Sequence, residues 1–250
     1  MKILICGVGG RMGREVSSLA LAGMRGAAPV AGYDVLPVDT REFPTYTDWN
    51  AVKEVPDCII DFSHHAGTAA LLAYACEKKI PVVLATTGHD EAELALIEQA
   101  AKEIPVFHSA NMSLGVALLA ELAKTTAKTF PDADIEIIEK HHNRKLDAPS
   151  GTALLLAKAI RTVRETATFV FGRNGQAKRT PEEIGIHAIR MGNIVGEHEV
   201  IVGTDTQTIT LKHEAHSRAL FAEGAIAAAE FLIRQSAGRL YDMKSMIEAN

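Results

Sequence analysis

Short β-branched runs alternate with longer Ala- and Leu-rich stretches over the first half of the chain. Lys2–Cys6, Val30–Tyr33, Cys58–Phe62, Pro81–Ala85 and Ile104–Phe107 are nearly unbroken apolar runs of strand length. Between them, Arg11–Ala22, Thr68–Lys78 and Glu91–Lys102 have helical length and spacing. Apolar runs without alternation mark strands covered on both faces, so the pattern predicts right-handed βαβ units and a doubly wound, Rossmann-like parallel sheet.

After Phe130-Pro131-Asp132 the rhythm changes. Ile135–Glu139 reads as a strand and Ser150 to about Arg164 as a helix, and several strands then follow with no helix between them. Thr206–His213 alternates, with Ile209, Leu211 and His213 on one face and threonines and Lys212 on the other. This half predicts an α+β domain built on a mixed or antiparallel sheet. The polar stretch Gly172–Glu183 is a long loop of the kind that often serves as a lid or binding loop. An Ala-rich helix, about Ala219–Arg234, is placed to return to the first domain.

Composition narrows the function classes. Of 250 residues, 47% are hydrophobic and 23% charged, with a net charge of -5, which excludes collagen-like and disordered chains and disfavours a nucleic-acid partner. No apolar stretch approaches the ~20 residues of a membrane span. The cysteines Cys6, Cys58 and Cys76 are odd in number and sit in apolar runs, as buried free thiols do, so neither a disulfide framework nor a metal site is expected, and a cytoplasmic location is.

The first strand runs into Gly7-Val8-Gly9-Gly10-Arg11-Met12-Gly13, followed at once by a helix. Glycines at 7, 10 and 13 allow a tight turn and close helix–strand packing, and the helix N-terminus favours a pyrophosphate. The spacing G-x-x-G-x-x-G departs from the commoner G-x-G-x-x-G. Asp34 ends the second strand 21 residues after Gly13, where a ribose-hydroxyl ligand is expected. Asp61-Phe62-Ser63-His64-His65 and Ala85-Thr86-Thr87-Gly88 also end strands, where ligands bind in open α/β sheets; for the histidine pair a helix start facing water is the simpler reading.

The densest chemistry is the run Glu139 to Thr152, EKHHNRKLDAPSGT. Basic groups crowd just upstream of a helix N-terminus, whose dipole and unpaired N–H groups attract anions, and the combination suits a small carboxylate-bearing substrate. Histidine exchanges protons near neutral pH, and lysine can donate one. Adjacent histidines lack the i, i+4 spacing of a helical zinc pair. Arg190, His213, His216 and Arg218 carry no clear reading from sequence alone, although a core or interface role is favoured for His213.

These motifs resemble the 4-hydroxy-tetrahydrodipicolinate reductase (dihydrodipicolinate reductase) family. The resemblance runs through GVGGRMG at 7–13, IDFS at 60–63, ATTG at 85–88, SANMSLGV at 109–116, the run 139–153, RMGNIVGEH at 190–198 and LYDM at 240–243. It implies a dinucleotide-binding domain of residues 1–112 and 222–250, a substrate-binding and oligomerisation domain of residues 113–221, and a homotetramer. It implies His141 and Lys145 as catalytic proton-transfer residues, and His142, Gly151 and Thr152 as ligands of a cyclic dicarboxylate. Cofactor contacts are implied at Gly7, Val8, Gly9, Gly10, Arg11, Met12, Asp34, Ala85, Thr86, Thr87, Ser109, Ala110, Asn111 and Met112. Ala85, Met112 and Val35 stand where the family often carries glycine, an aromatic residue and, in NADPH-using members, arginine.

The expected reaction is hydride transfer from NADH or NADPH, with NADH preferred because Asp34 opposes a 2′-phosphate and Arg11 offsets it only in part. Two alternatives are a dehydrogenase like aspartate dehydrogenase, which needs no His-His-x-x-Lys cluster, and a non-catalytic dinucleotide sensor, which needs no dicarboxylate site.

Overall fold

The computed structural model describes residues 1–249 and divides into two compact units, Met1–Ser113 with Ala219–Asn250, and Leu114–Arg218. The first unit opens with β1 (Lys2–Cys6), α1 (Arg11–Leu21), β2 (Ala28–Tyr33), β3 (Thr45–Tyr46) and β4 (Cys58–Asp61). It continues through α2 (Thr68–Lys78), β5 (Val82–Leu84), α3 (Glu91–Ala100) and β6 (Val106–His108). The second unit comprises α4 (Leu114–Thr129), β7 (Asp134–His141), α5 (Gly151–Arg161), β8 (Thr168–Phe171), β9 (Glu183–Arg190), β10 (Gly196–Gly203) and β11 (Thr208–Ala215). The chain then re-enters the first unit with α6 (Ala219–Leu232), β12 (Leu240–Tyr241) and α7 (Met243–Glu248).

The first unit's sheet has the order β12-β6-β5-β4-β1-β2-β3, with every pairing parallel. Its central strands are buried on both faces, as their unbroken apolar runs require: Ile3, Leu4 and Ile5 of β1 and Cys58, Ile59 and Ile60 of β4 are fully covered. Helix α1 presents Gly13, Val16 and Ala20 inward. Helix α3 starts with a capping box, in which Asp90 accepts the Glu93 N–H and Glu93 accepts the Asp90 N–H. In α6 alanines are buried around most of the helix, which explains its even hydrophobicity.

The second sheet is mixed, in the order β11-β10-β7-β9-β8; β10 runs antiparallel to β7 and β11, and β9 parallel to β7 and β8. Ile135 and Ile137 of β7, Val200 and Val202 of β10, and Ile184 and Ile186 of β9 form one core with Ala153, Leu156, Ala157 and Ile160 of α5. Those α5 positions follow the i, i+3, i+4, i+7 stripe of an amphipathic helix.

Three elements escape the sequence pattern. Helix α4 is interleaved with alanine and threonine, and β3 and β12 have two residues each, below the length at which periodicity can be read. The loop after β8 is anchored rather than free. Arg179 donates to Asp134 Oδ1 at 2.7 Å and to Glu136 Oε1 at 2.6 Å, and Arg173 pairs with Glu183. Asp134 and Glu136 lie at the start of β7 and His141 at its end, so the anchor sits about 16 Å along the strand from the basic cluster. A lid over that cluster is therefore not what this anchoring supports. Among the described residues no helix is long and apolar enough to cross a membrane, and no three His, Cys, Asp or Glu side chains converge as a metal-binding group.

Candidate active site

In the first unit the glycine turn is held by its own geometry. Gly7 adopts φ +78°, and a Cβ at Gly13 would overlap the Gly7 carbonyl oxygen, so neither position accepts a side chain without moving the turn. The turn's amides are largely engaged. Gly7 N–H donates to Tyr33 O at 2.8 Å, Gly10 N–H to Gly7 O at 3.0 Å, and Gly9 N–H to Asp34 Oδ2 at 2.9 Å. Gly10 caps α1 without a side chain, which leaves the first-turn N–H groups of Arg11, Met12 and Gly13 with no acceptor inside the helix. These are the donors suited to a diphosphate.

Beside the turn lies a cavity of about 950 Å3, walled by Gly7, Gly9, Gly10, Asp34, Val35 and Ser63 among others. Tyr33 and Trp49 also line it and stack at 3.8 Å between ring centroids. The arginine on this wall is Arg14, not the Arg11 expected from the sequence. The cavity's size, its acid at the end of β2 and the open helix end fit a dinucleotide.

The other strand ends are more structural than their sequence suggests. Asp61 is fully buried, accepting the Thr86 hydroxyl at 2.6 Å and the Ser63 N–H at 3.0 Å. The Thr86 side chain thus fastens β5 to β4, whereas Thr87 is exposed. Ser109 closes a turn onto the Asn111 carbonyl at 2.8 Å, Asn111 Oδ1 accepts the Ser113 N–H at 2.9 Å, and Ala110 is exposed. Met112 is buried, its carbonyl packed against Gly224, and Ala85 is buried at the end of β5. His64 caps a short 3-10 turn, and His65 pairs with Glu93 at 2.9 Å.

In the second unit the chemistry gathers at the end of β7. Period-two alternation places Glu139 and His141 on the same face as Ile135 and Ile137, so a carboxylate enters the core face. Glu139 is completely buried and fully partnered. His141 Nδ1 lies 2.6 Å from its Oε2, Arg190 donates to both oxygens at 2.8 and 2.7 Å, and the Ser150 N–H donates to Oε1 at 2.9 Å. Burial alone would raise its pKa, but these donors outweigh it and hold Glu139 at about 2. An ionised Glu139 can only accept, so Nδ1–H is the donor in this contact. The other ring nitrogen faces Gly196, where a Cβ would stand 3.1 Å from Nε2, so the missing side chain keeps space beside Nε2.

His198 lies beneath this pair, its ring edge-on to His141 with centroids 5.1 Å apart and its Nε2 3.1 Å from Ser150 Oγ. Burial, with the neighbouring His141, lowers its pKa to about 4, so it is neutral. Ser150 also caps α5 by accepting the Ala153 N–H. Lys145 Nζ lies 2.9 Å from Asp147 Oδ1. Burial and then the Arg144 and Arg218 charges lower the pKa of His142. His141, His142, Lys145, Gly151 and Thr152 thus belong to one local constellation between the end of β7 and the start of α5. Sequence reasoning missed Glu139, Arg190 and His198 as working parts; the only signal was a carboxylate in phase with the buried isoleucines.

Comparison with known proteins gives a consistent result. The dihydrodipicolinate reductase N-terminus matches residues 1–112 and the dihydrodipicolinate reductase C-terminus matches residues 115–247. The chain is 48% identical to the 4-hydroxy-tetrahydrodipicolinate reductase of Caldanaerobacter subterraneus subsp. tengcongensis, covering 99% of this chain and 98% of that protein. It is 43% identical to the enzyme of the same name from Clostridium tetani, covering 100% and 98%. In fold it resembles a dipicolinate-bound dihydrodipicolinate reductase from Paenisporosarcina sp. TG-14, with a TM-score of 0.77, 24% identity and 97% coverage of both chains. A Corynebacterium glutamicum DAP dehydrogenase is a more distant likeness, with a TM-score of 0.59, 13% identity and coverage of 98% of this chain and 93% of that one. With both halves matched and relatives of this identity over nearly its full length, the chain belongs to the dihydrodipicolinate reductase family.

Proposed function

We propose that the chain reduces 4-hydroxy-tetrahydrodipicolinate, through its dehydrated form, to tetrahydrodipicolinate in lysine and diaminopimelate biosynthesis, with NADH preferred over NADPH. Family membership carries the reaction class, and the Glu139–His141 pair beside Lys145 and the α5 N-terminus supports the chemistry.

The first unit holds the nicotinamide dinucleotide, which supplies the hydride when bound. The first-turn amides of α1 at Arg11 and Met12 would hold its diphosphate, with Gly7, Val8, Gly9 and Gly10 lining that site, and Asp34 would take the adenosine ribose. Ala85, Thr87, Ser109, Ala110, Asn111 and Met112 supply the edges of β5 and β6 for the nicotinamide half, and Thr86 acts there through its backbone.

The second unit holds the substrate. One ring carboxylate meets the N–H groups of Gly151 and Thr152 at the start of α5, and His142 meets the other. The bound dinucleotide would supply hydride to C4 of the unsaturated ring, and Lys145 gives the compensating proton to the adjacent conjugated framework, on which negative charge would otherwise build. His141 stabilises that charge and exchanges the proton through Nε2. Most of the acceleration comes from positioning and from these fixed positive groups.

The sheet face of the second unit opposite α4 and α5 carries Ile138, Ile189 and Ile201 among ion-paired Lys140, Glu197 and Lys212. Copies of the chain associate there as a homotetramer, and a cytoplasmic setting suits the free thiols of Cys6, Cys58 and Cys76.

The deciding assay follows cofactor oxidation with the freshly made aldol product of pyruvate and aspartate semialdehyde. Turnover supports the reading; activity only with oxaloacetate and ammonia points to an aspartate dehydrogenase instead. Binding of the cofactor with neither activity identifies a sensor.

A further inference from the structure

Asp147 is a carboxylate lying on the proton donor of the proposed function, close to the α5 start that the same reading gives to a substrate carboxylate. Its Oδ1 is 2.9 Å from Lys145 Nζ, and Lys145 first, with the Gly151 N–H at the start of α5 adding to it, lowers its pKa. Its side chain is 57% exposed. Its backbone is held separately, because Arg190 Nη2 donates to the Asp147 carbonyl at 2.6 Å while the same guanidinium grips the buried Glu139. The result is a fixed main chain bearing a carboxylate that can leave by rotation about its own side-chain bonds.

The surroundings favour some anion at this point. Lys145, Arg144, Arg218, His141 and His142 converge on the region, and the first turn of α5 adds its dipole. We propose that Asp147 is a resident counter-anion: it occupies the Lys145 and Gly151 donors in the empty enzyme and swings away when a carboxylate of the substrate takes its place. This rests on the dicarboxylate reading of the site and adds a residue that sets affinity and selectivity. A ligand with one carboxylate displaces Asp147 for little return, whereas a dicarboxylate gains a second contact in the same exchange.

The test measures pyridine-2,6-dicarboxylate binding by calorimetry to the cofactor-loaded wild type, Asp147→Asn and Glu77→Gln, with substrate KM alongside. Glu77, exposed on α2 and paired with Lys78 at 2.8 Å, controls for general charge. Asp147→Asn is expected to bind about two- to fivefold more tightly, the scale of losing one exposed ion pair as competitor, with KM falling in parallel and the control unchanged. A structure of the wild-type complex is expected to show Asp147 out of reach of Lys145. Equal or weaker binding by Asp147→Asn, equal tightening in Glu77→Gln, or a complex in which Asp147 still holds Lys145 overturns the proposal. The parent reading fails differently: the wild type then does not bind the dicarboxylate, or binds it just as well after Lys145→Ala and His142→Ala.

Discussion

The Glu139 carboxylate and the His141 imidazole stand two residues apart on one strand, with Oε2 and Nδ1 2.6 Å apart. Because the carboxylate is ionised and sealed from water, it fixes the ring's orientation. Glu139→Gln keeps the shape and removes the charge. We expect kcat to fall by about 10²–10⁴-fold, the range of acid–base catalysis, and the pH–rate profile to change. A lower melting temperature with an unmoved profile would restrict Glu139 to a structural role.

Lys145→Ala is expected to lower kcat by about 10²–10⁴-fold, because a proton-donating ammonium acts most strongly in the transition state. His141→Ala loses less if Lys145 still delivers the proton. Steady-state kinetics of both variants decide the roles: near-normal turnover without Lys145 ends its assignment as donor, and a change in KM alone makes His141 a binding residue.

A two-carboxylate clamp discriminates by charge and spacing. Pyridine-2,6-dicarboxylate is expected to inhibit competitively against substrate, pyridine-2-carboxylate to be at least about tenfold weaker, and His142→Ala to narrow the gap. Equal inhibition by the two compounds rules the clamp out.

On cofactor choice, the ratio of kcat/KM for NADH over NADPH is expected to be up to about ten, equivalent to 1.4 kcal/mol. Asp34 and Arg14 both line the cavity, and the expected ratio follows if the carboxylate opposes a 2′-phosphate and the guanidinium offsets part of that. Asp34→Ala with Val35→Arg is expected to turn the ratio toward NADPH, and Arg14→Ala to widen it toward NADH. If the double variant leaves the ratio where it was, Asp34 does not bind the ribose.

Acid stability follows from two depressed pKa values. Glu139 sits at about 2 against an ordinary 4.5, and His198 at about 4 against 6.5. In both cases the unfolded chain takes up its proton first as pH falls. The His198 contribution is complete above about pH 6.5 and lost toward pH 4; that of Glu139 is complete above about 4.5 and lost toward 2, each worth about 3 kcal/mol at full extent. Thermal melts of His198→Gln between pH 7 and 4 are expected to show a weaker pH dependence than the wild type. An identical slope would mean that His198 does not drive the upper window.

The contrast between what sequence reveals and what it hides is physical. β1, α2 and the glycine turn are plain because burial on both faces and the helical period leave regular traces, and the boundaries of β1 and α2 coincide with the expected ones. The basic run 139–152 announces a site by composition. Yet Arg190 and His198 reach Glu139 and Ser150 from β9 and β10, about fifty positions later in the chain, and no local pattern encodes a pairing between strands. Thr86 and Ser109 show the converse, since a hydroxyl at a strand end looks the same in sequence whether it faces a ligand or ties down a neighbouring loop.

The placement of β12 beside β6 has a consequence for biosynthesis. β6 ends at His108, while its neighbour begins at Leu240, so the whole of Leu114–Arg218 leaves the ribosome before the first sheet gains its last strand. The second unit is one uninterrupted stretch and can fold during translation, whereas β6 waits with an uncovered edge, open to mispairing or to a chaperone. Slow refolding and aggregation are therefore expected to trace to the first unit, and a stop codon placed just before Leu240 is expected to give insoluble protein even though every proposed catalytic and substrate-binding residue has already been made.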